Sequence, residues 1–182
     1  VKLLGVMPTP VVAYLTKKMN ADASVVISAS HNTFEFNGVK YFSNKGMKIP
    51  DEIEEEIEEI LDSDKLSEMV AVSDKIGVST DGSEYIEEYI NFITNIFKDE
   101  FKNLPKGFCI GIDTANGATY KLADEIYTKL GIPHKIINNS PDGININEKC
   151  GSTHIEAIEE LVKKENLSLG IAYDGDGDRC LA

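Results

Sequence analysis

The chain has 182 residues, 42% hydrophobic and 27% charged, the balance of a soluble globular protein with room for one large or two small domains. A formal charge of −13 without any Lys/Arg stripe excludes a protein that binds nucleic-acid backbone. No apolar run reaches membrane-spanning length and no signal-peptide pattern opens the chain, so no membrane partner is expected and the expected compartment is the cytoplasm.

Thr9 reads as a helix N-cap, with Pro10 at the first helical position of a helix over Pro10–Met19. The β-branched run Ala23–Ile27 predicts a strand, and Val39–Phe42 a second one, joined by the polar loop from Ser28 to Gly38. Pro50–Leu61 has Ile53, Ile57, Ile60 and Leu61 on one face, which predicts an amphipathic helix with its glutamates in water. The Gly-, Ser- and Asp-rich stretch Ser73–Ser83 predicts a linker, dividing the chain into residues 1–75 and 76–182.

The second half reads as helix Glu84–Phe97, strand Phe108–Ile112, helix Ala118–Leu130, strand Pro133–Ile137, helix Thr153–Lys164 and strand Leu167–Tyr173. The stripe Tyr85, Tyr89, Phe92, Ile93 and Ile96 reads as helix core. That alternation predicts βαβ units, a largely parallel sheet and the α/β class. Cys109, Cys150 and Cys180 are odd in number and lack CxxC spacing, which predicts reduced, buried structural thiols. Val1 is not an initiator methionine, and the apolar segment opening at Cys180 stops at Ala182, so a fragment is expected.

Two loops carry chemistry. Ser28-Ala29-Ser30-His31-Asn32 places a hydroxyl beside an imidazole, a weak nucleophile-and-base signal, and Lys40 adds a nearby cation. Asp174-Gly175-Asp176-Gly177-Asp178-Arg179 follows a strand, and three alternating carboxylates are costly to cluster without a hard divalent cation such as Mg²⁺. An EF-hand requires Gly at the position of Arg179. An aspartyl-phosphate phosphatase, with Asp174 as nucleophile, does not continue with Asp178. Asp113-Thr114-Ala115-Asn116-Gly117 reads as structural turn residues. Taken together, the loops provide an acceptor hydroxyl, a metal cage and phosphate-positioning cations, the parts that phosphoryl transfer needs.

The ordered pair S-A-S-H-N…N-G-V-K and D-G-D-G-D-R resembles the phosphoserine loop and metal loop of the α-D-phosphohexomutases, and the resemblance covers essentially the whole chain. Within the family, Gly5–Pro10, Asp113–Thr119 and Ile144–His154 are most similar to bacterial members acting on glucosamine phosphate. The resemblance implies layered α/β/α sheets in two partial domains, the rear of the first and most of the second. It implies Ser30 as the phosphate carrier and as a Mg²⁺ ligand with Asp174, Asp176 and Asp178. Lys40 and His31 are implied as proton-transfer and phosphate-contacting groups, and Arg179 as the phosphoserine's electrostatic partner. The implied reaction interconverts glucosamine 6-phosphate and glucosamine 1-phosphate through a bisphosphorylated sugar, toward UDP-N-acetylglucosamine. The partner implied is a phosphosugar, with room for a homodimer of the full-length enzyme and inactivity of the fragment alone. Alternatives are mannose or glucose phosphate as substrate, or a non-catalytic metal-binding α/β module. Thr33 stands where the family has proline, which frees the loop backbone.

Overall fold

A computed structural model of the chain describes residues 1–182, the side chain of residue 65 excepted. The elements are β1 (Lys2–Leu3), α1 (Thr9–Lys18), β2 (Ala23–Ile27), β3 (Val39–Ser43), α2 (Asp51–Leu61), α3 (Lys65–Met69) and β4 (Thr80–Asp81). They continue as α4 (Ile86–Phe97), β5 (Ile110–Asp113), α5 (Leu122–Lys129), β6 (His134–Ile137), α6 (Glu156–Glu165), β7 (Leu169–Tyr173) and β8 (Cys180–Leu181).

The second half builds the expected α/β/α layers. Its sheet has the order β6-β5-β7-β8, with β5 parallel to both β6 and β7 and β8 antiparallel at the edge. Ile112, fully buried, lies opposite Ile136 on one side and Ile171 on the other. Ala123 of α5 packs with Ile110 and Ile112 on one face of the sheet. On the other face α6 approaches over two glycines. A Cβ at Gly111 or Gly170 would stand 2.9 Å from the Ile158 side chain, so the close helix approach requires their absence.

The first half departs from a parallel sheet. Strands β2 and β3 form an antiparallel pair, Ile27 opposite Val39 and Ala23 opposite Ser43, with Val12 of α1 packed on Val26 and Phe42. The expected linker contains a short 3-10 turn, Ser73–Lys75, and β4, which pairs in parallel with β1. The expected core face of α2 is not covered: no residue of that helix is buried, and Ile53 and Leu61 are 41% and 56% exposed. The glutamates of α2 are mostly in water as its period predicts, while Ile57 and Ile60 on its apolar side are only half-buried.

Helix α1 joins the halves. Its Val11 and Leu15 form a core with Ile90 of α4 and Leu122 of α5, while the adjacent Val12 faces the β2–β3 pair. On α4 the buried residue is Ile90, outside the expected stripe, and Phe92 and Ile96 stay largely exposed. Tyr14 of α1 stacks on Phe92 with ring centroids 4.3 Å apart, so the stripe is a partly covered interhelical face. Helix α5 starts later than expected because Ala118 N–H donates to Gly175 O and Tyr120 N–H to Gly117 O, which holds the preceding turn out of helix. Cys150 is buried and its thiol is pushed up to about 11 by burial, whereas Cys180 is exposed, against the expectation of a buried thiol at each position.

Candidate functional site

Strand β7 ends at Tyr173; Asp174, the next residue, is fully buried, and the five residues after it turn back to start β8. Arg179 N–H donates to Asp174 Oδ1 at 3.1 Å, and Gly177 N–H donates to Asp174 O at 3.1 Å. This tight return brings carboxylate oxygens of Asp174, Asp176 and Asp178 within 4.8 Å of one another. Gly175 is required there: a Cβ would lie 2.6 Å from both Ser30 O and Asn147 Nδ2.

The first half of the chain meets this loop from the opposite side. Ser30 Oγ donates to Asp174 Oδ2 at 2.8 Å. Lys40 Nζ donates to Asp176 Oδ2 at 2.5 Å and to Asp178 Oδ2 at 3.0 Å. Thr9 is not an N-cap; Pro8 occupies that position and makes no side-chain cap bond. The Thr9 hydroxyl instead donates to Asp176 Oδ2 at 2.5 Å, and its N–H donates to Asp176 O at 2.9 Å. The Arg179 guanidinium lies 3.9 Å from carboxylate oxygens of Asp174 and Asp178, and its Nη1 donates to His31 Nδ1 at 2.9 Å. Because a guanidinium can only donate, His31 must accept at Nδ1, and in its neutral form carries its proton on Nε2. The structure therefore brings Ser30, His31, Lys40, Asp174, Asp176, Asp178 and Arg179 together.

The carboxylates are electrostatically unequal. Burial pushes Asp174 above the usual carboxylate range, although the Ser30 hydroxyl and the Arg179 amide oppose the shift. Burial also works against Asp176, but the Lys40 ammonium and the Thr9 hydroxyl outweigh it and hold this carboxyl below its ordinary value. Lys40 is itself partly desolvated, and its bonds to Asp176 and Asp178 outweigh that, keeping the ammonium charged above the ordinary lysine range. Three carboxylates against two cations leave the loop negative. Asp176 Oδ1 is buried with no hydrogen-bond partner among the described residues. A converging set of hard oxygens with an orphaned carboxylate oxygen fits a hard divalent cation.

Two further residues have positions that the motifs did not disclose. Asn147, 3% exposed and in the left-handed region at φ 57°, donates from Nδ2 to Ser30 O at 2.9 Å and to Asn32 O at 2.8 Å. It clamps the serine loop while Ser30 itself stands at φ 56°. These bonds restrain the loop that contains Thr33. Asp113, fully buried, accepts from Ala115 N–H at 2.8 Å and Gly151 N–H at 2.9 Å, so the 113–117 turn is scaffold, as its composition predicts. Asparagine in a turn is ordinary, and although Ile144–His154 carries part of the resemblance, that stretch does not say that Asn147 reaches a partner more than a hundred residues away. The hydroxyl of Thr9 is likewise visible only as a capping candidate.

Residues 1–68 match the family described as phosphoglucomutase/phosphomannomutase, alpha/beta/alpha domain I, and residues 87–182 match its alpha/beta/alpha domain II. The chain is 46% identical over 182 residues to a phosphoglucosamine mutase of Acetivibrio thermocellus, covering 100% of this chain and 40% of that protein. It thus spans about 40% of the length of the curated relatives it matches. Among solved structures it resembles a phosphoglucomutase/phosphomannomutase family protein from Burkholderia thailandensis, with TM-score 0.75, 22% identity, and coverage of 99% of this chain and 39% of that one. It also resembles Aspergillus fumigatus N-acetylphosphoglucosamine mutase in complex with GlcNAc-6P and magnesium, with TM-score 0.56, 18% identity, and coverage of 95% and 47%.

Proposed function

The chain belongs to the phosphoglucomutase/phosphomannomutase family, and from that premise we propose that it carries the phosphoserine and metal loops of a mutase that interconverts glucosamine 6-phosphate and glucosamine 1-phosphate. The observation that carries this reading is the 2.8 Å hydrogen bond from Ser30 Oγ to Asp174 Oδ2, which joins the candidate acceptor hydroxyl to the carboxylate cage. Residues 1–75 deliver the serine and residues 76–182 the cage, a division supported by the gap between the two family matches.

In the proposed reaction a sugar hydroxyl attacks the phosphorus carried on Ser30. The P–Oγ bond breaks with its electron pair on Oγ as the sugar oxygen bonds to phosphorus, and the proton of the attacking hydroxyl ends on Oγ. The resulting bisphosphorylated sugar turns around. Ser30 Oγ then attacks the other phosphorus, the bond between that phosphorus and its sugar oxygen breaks with its electron pair on the oxygen, and that oxygen takes the proton given up by Ser30. Lys40, kept charged by its two aspartates, serves as a phosphate-positioning cation rather than as a base. His31, accepting from Arg179 at Nδ1, offers its Nε2–H to phosphate oxygen. Asn147 holds the serine loop against the cage. Asp174, Asp176, Asp178 and Ser30 would hold Mg²⁺, which supplies charge neutralisation of the phosphoryl group; the magnesium of the Aspergillus complex supports that choice. The free thiols Cys109, Cys150 and Cys180 support a cytoplasmic setting.

The test is exposure of the longer protein that carries these residues to glucosamine 1,6-bisphosphate and Mg²⁺, followed by phosphopeptide mapping. Phosphate on Ser30, lost in Ser30→Ala, is expected, together with turnover of glucosamine phosphate in preference to mannose and glucose phosphates. Phosphate on Asp174 would instead identify a phosphatase. Metal binding without any phosphate adduct would identify a non-catalytic module.

A further inference from the structure

The chain contains two Asn-Gly pairs, Asn37-Gly38 and Asn116-Gly117, and the fold treats them differently. Asparagine before glycine is prone to ring closure, because glycine places no side chain around its own nitrogen. Asn37 is exposed, and the Gly38 N–H lies 3.2 Å from Asn37 Oδ1, beside the amide carbon that it would attack. Asn116 is pinned instead. Its Oδ1 accepts from Ser140 N–H at 3.1 Å, and its Nδ2 donates to Asn145 O at 3.4 Å. The Gly117 N–H is directed away to Thr114 O at 2.8 Å, and Gly117 is buried against the main chain of Gly175.

We propose that Asn37 is a site of spontaneous deamidation, left open by the same fold that closes the equivalent site at Asn116. The Gly38 nitrogen attacks Asn37 Cγ and an N–Cγ bond forms. The Cγ–Nδ2 bond breaks, its electron pair stays on nitrogen, and that nitrogen takes the proton from Gly38 and leaves as ammonia. Water then opens the succinimide at either carbonyl, giving aspartate or isoaspartate at position 37. No oxidant, reductant or further reactant is needed.

The change reaches the serine loop through the main chain. Gly38 O accepts the Ser28 N–H at 2.9 Å, just beyond the Ile27–Val39 pair, and Ser28 Oγ accepts the Ser30 N–H at 2.9 Å. Isoaspartate routes the backbone through the former side chain and inserts one methylene before Gly38, which displaces that last hydrogen bond of the β2–β3 pair. It also adds a negative charge three residues from Lys40. This inference is independent of the mutase reading.

The test is incubation of the 182-residue chain at mildly alkaline pH, native and in urea. Isoaspartate is then located by peptide mass spectrometry and by labelling with an isoaspartyl methyltransferase and S-adenosylmethionine. Native conversion at Asn37 should outrun that at Asn116 by roughly tenfold or more, the factor set by breaking the two side-chain hydrogen bonds of Asn116, and the rates should converge in urea. Labelling should fall sharply in Asn37→Gln, and the converted fraction should lose exchange protection at the Ser28 amide. Equal native rates at the two sites, or faster conversion at Asn116, would overturn the proposal. Isoaspartate at position 37 with Ser28 protection intact would overturn its link to the serine loop.

Discussion

Replacing Asn147 by aspartate isolates the clamp on the serine loop, because the side chain keeps its size and its tolerance of positive φ while the amide donors vanish. The amide now donates to Ser30 O at 2.9 Å and Asn32 O at 2.8 Å from a position 3% exposed. In the Asn147→Asp variant a protonated carboxyl can donate one of those bonds, so near pH 4 the variant should lose about 1 kcal/mol. Once ionised, the new carboxylate sets a buried, unpaired charge against two carbonyl oxygens. Its folded pKa is therefore raised above about 3.9, by roughly 2–3 units for a buried carboxyl. A group raised in the folded state is fully accommodated below its unfolded pKa and loses that stability as pH rises through the folded one. The deficit should grow to about 4 kcal/mol by pH 7, at about 1.4 kcal/mol per unit. Urea unfolding of both proteins from pH 4 to 7 measures it. A difference below about 1 kcal/mol that does not change with pH would show that Asn147 does not hold the loop.

Lys40→Met keeps the stem and removes the cation that outweighs burial at Asp176. Asp176 is depressed in the fold, so its contribution is present above the ordinary carboxylate range and fades as pH falls; the variant should lose about 1–3 kcal/mol at pH 7 and progressively less in acid, read by chemical unfolding. Gly175→Ala puts a methyl 2.6 Å from Ser30 O and Asn147 Nδ2 and should cost about 1–3 kcal/mol in thermal unfolding; a neutral result would contradict the packing of the two loops. Mg²⁺ at a hundredfold excess over its Kd should stabilise the wild type by about 2.7 kcal/mol in scanning fluorimetry, with the shift abolished in Asp176→Asn. The 182-residue chain alone should form little or no glucosamine 1-phosphate in a coupled assay, and robust turnover would contradict the need for the rest of the protein.

Much of the site's chemistry was legible locally. Ser30 beside His31, and the alternation of Asp174, Asp176 and Asp178 with glycine after an apolar strand, mark a candidate acceptor and a candidate cation cage within a few residues each. The β2 strand, the β5-β6-β7 core and the α1 helix likewise follow from period and β-branching, because those patterns act over one or two turns of chain. Helix α2 shows the limit: its period predicts the helix correctly but cannot supply the layer that would cover Ile53 and Leu61.

By itself, then, the sequence determined the residue types and the local elements: a serine loop, a carboxylate loop, and an α/β second half. Only the tertiary structure decided that Ser30 Oγ meets Asp174 across 144 residues, that the Thr9 hydroxyl serves Asp176 instead of capping a helix, and that Asn147 grips the serine loop. It also decided that β2 and β3 run antiparallel and that Lys40 is shared between Asp176 and Asp178. The reason is physical. Propensity and periodicity are set by neighbours in the chain, whereas the aim of a hydroxyl or an ammonium is set by the packing of α1 between the β2–β3 pair and helices α4 and α5, where separation in sequence carries no information about distance.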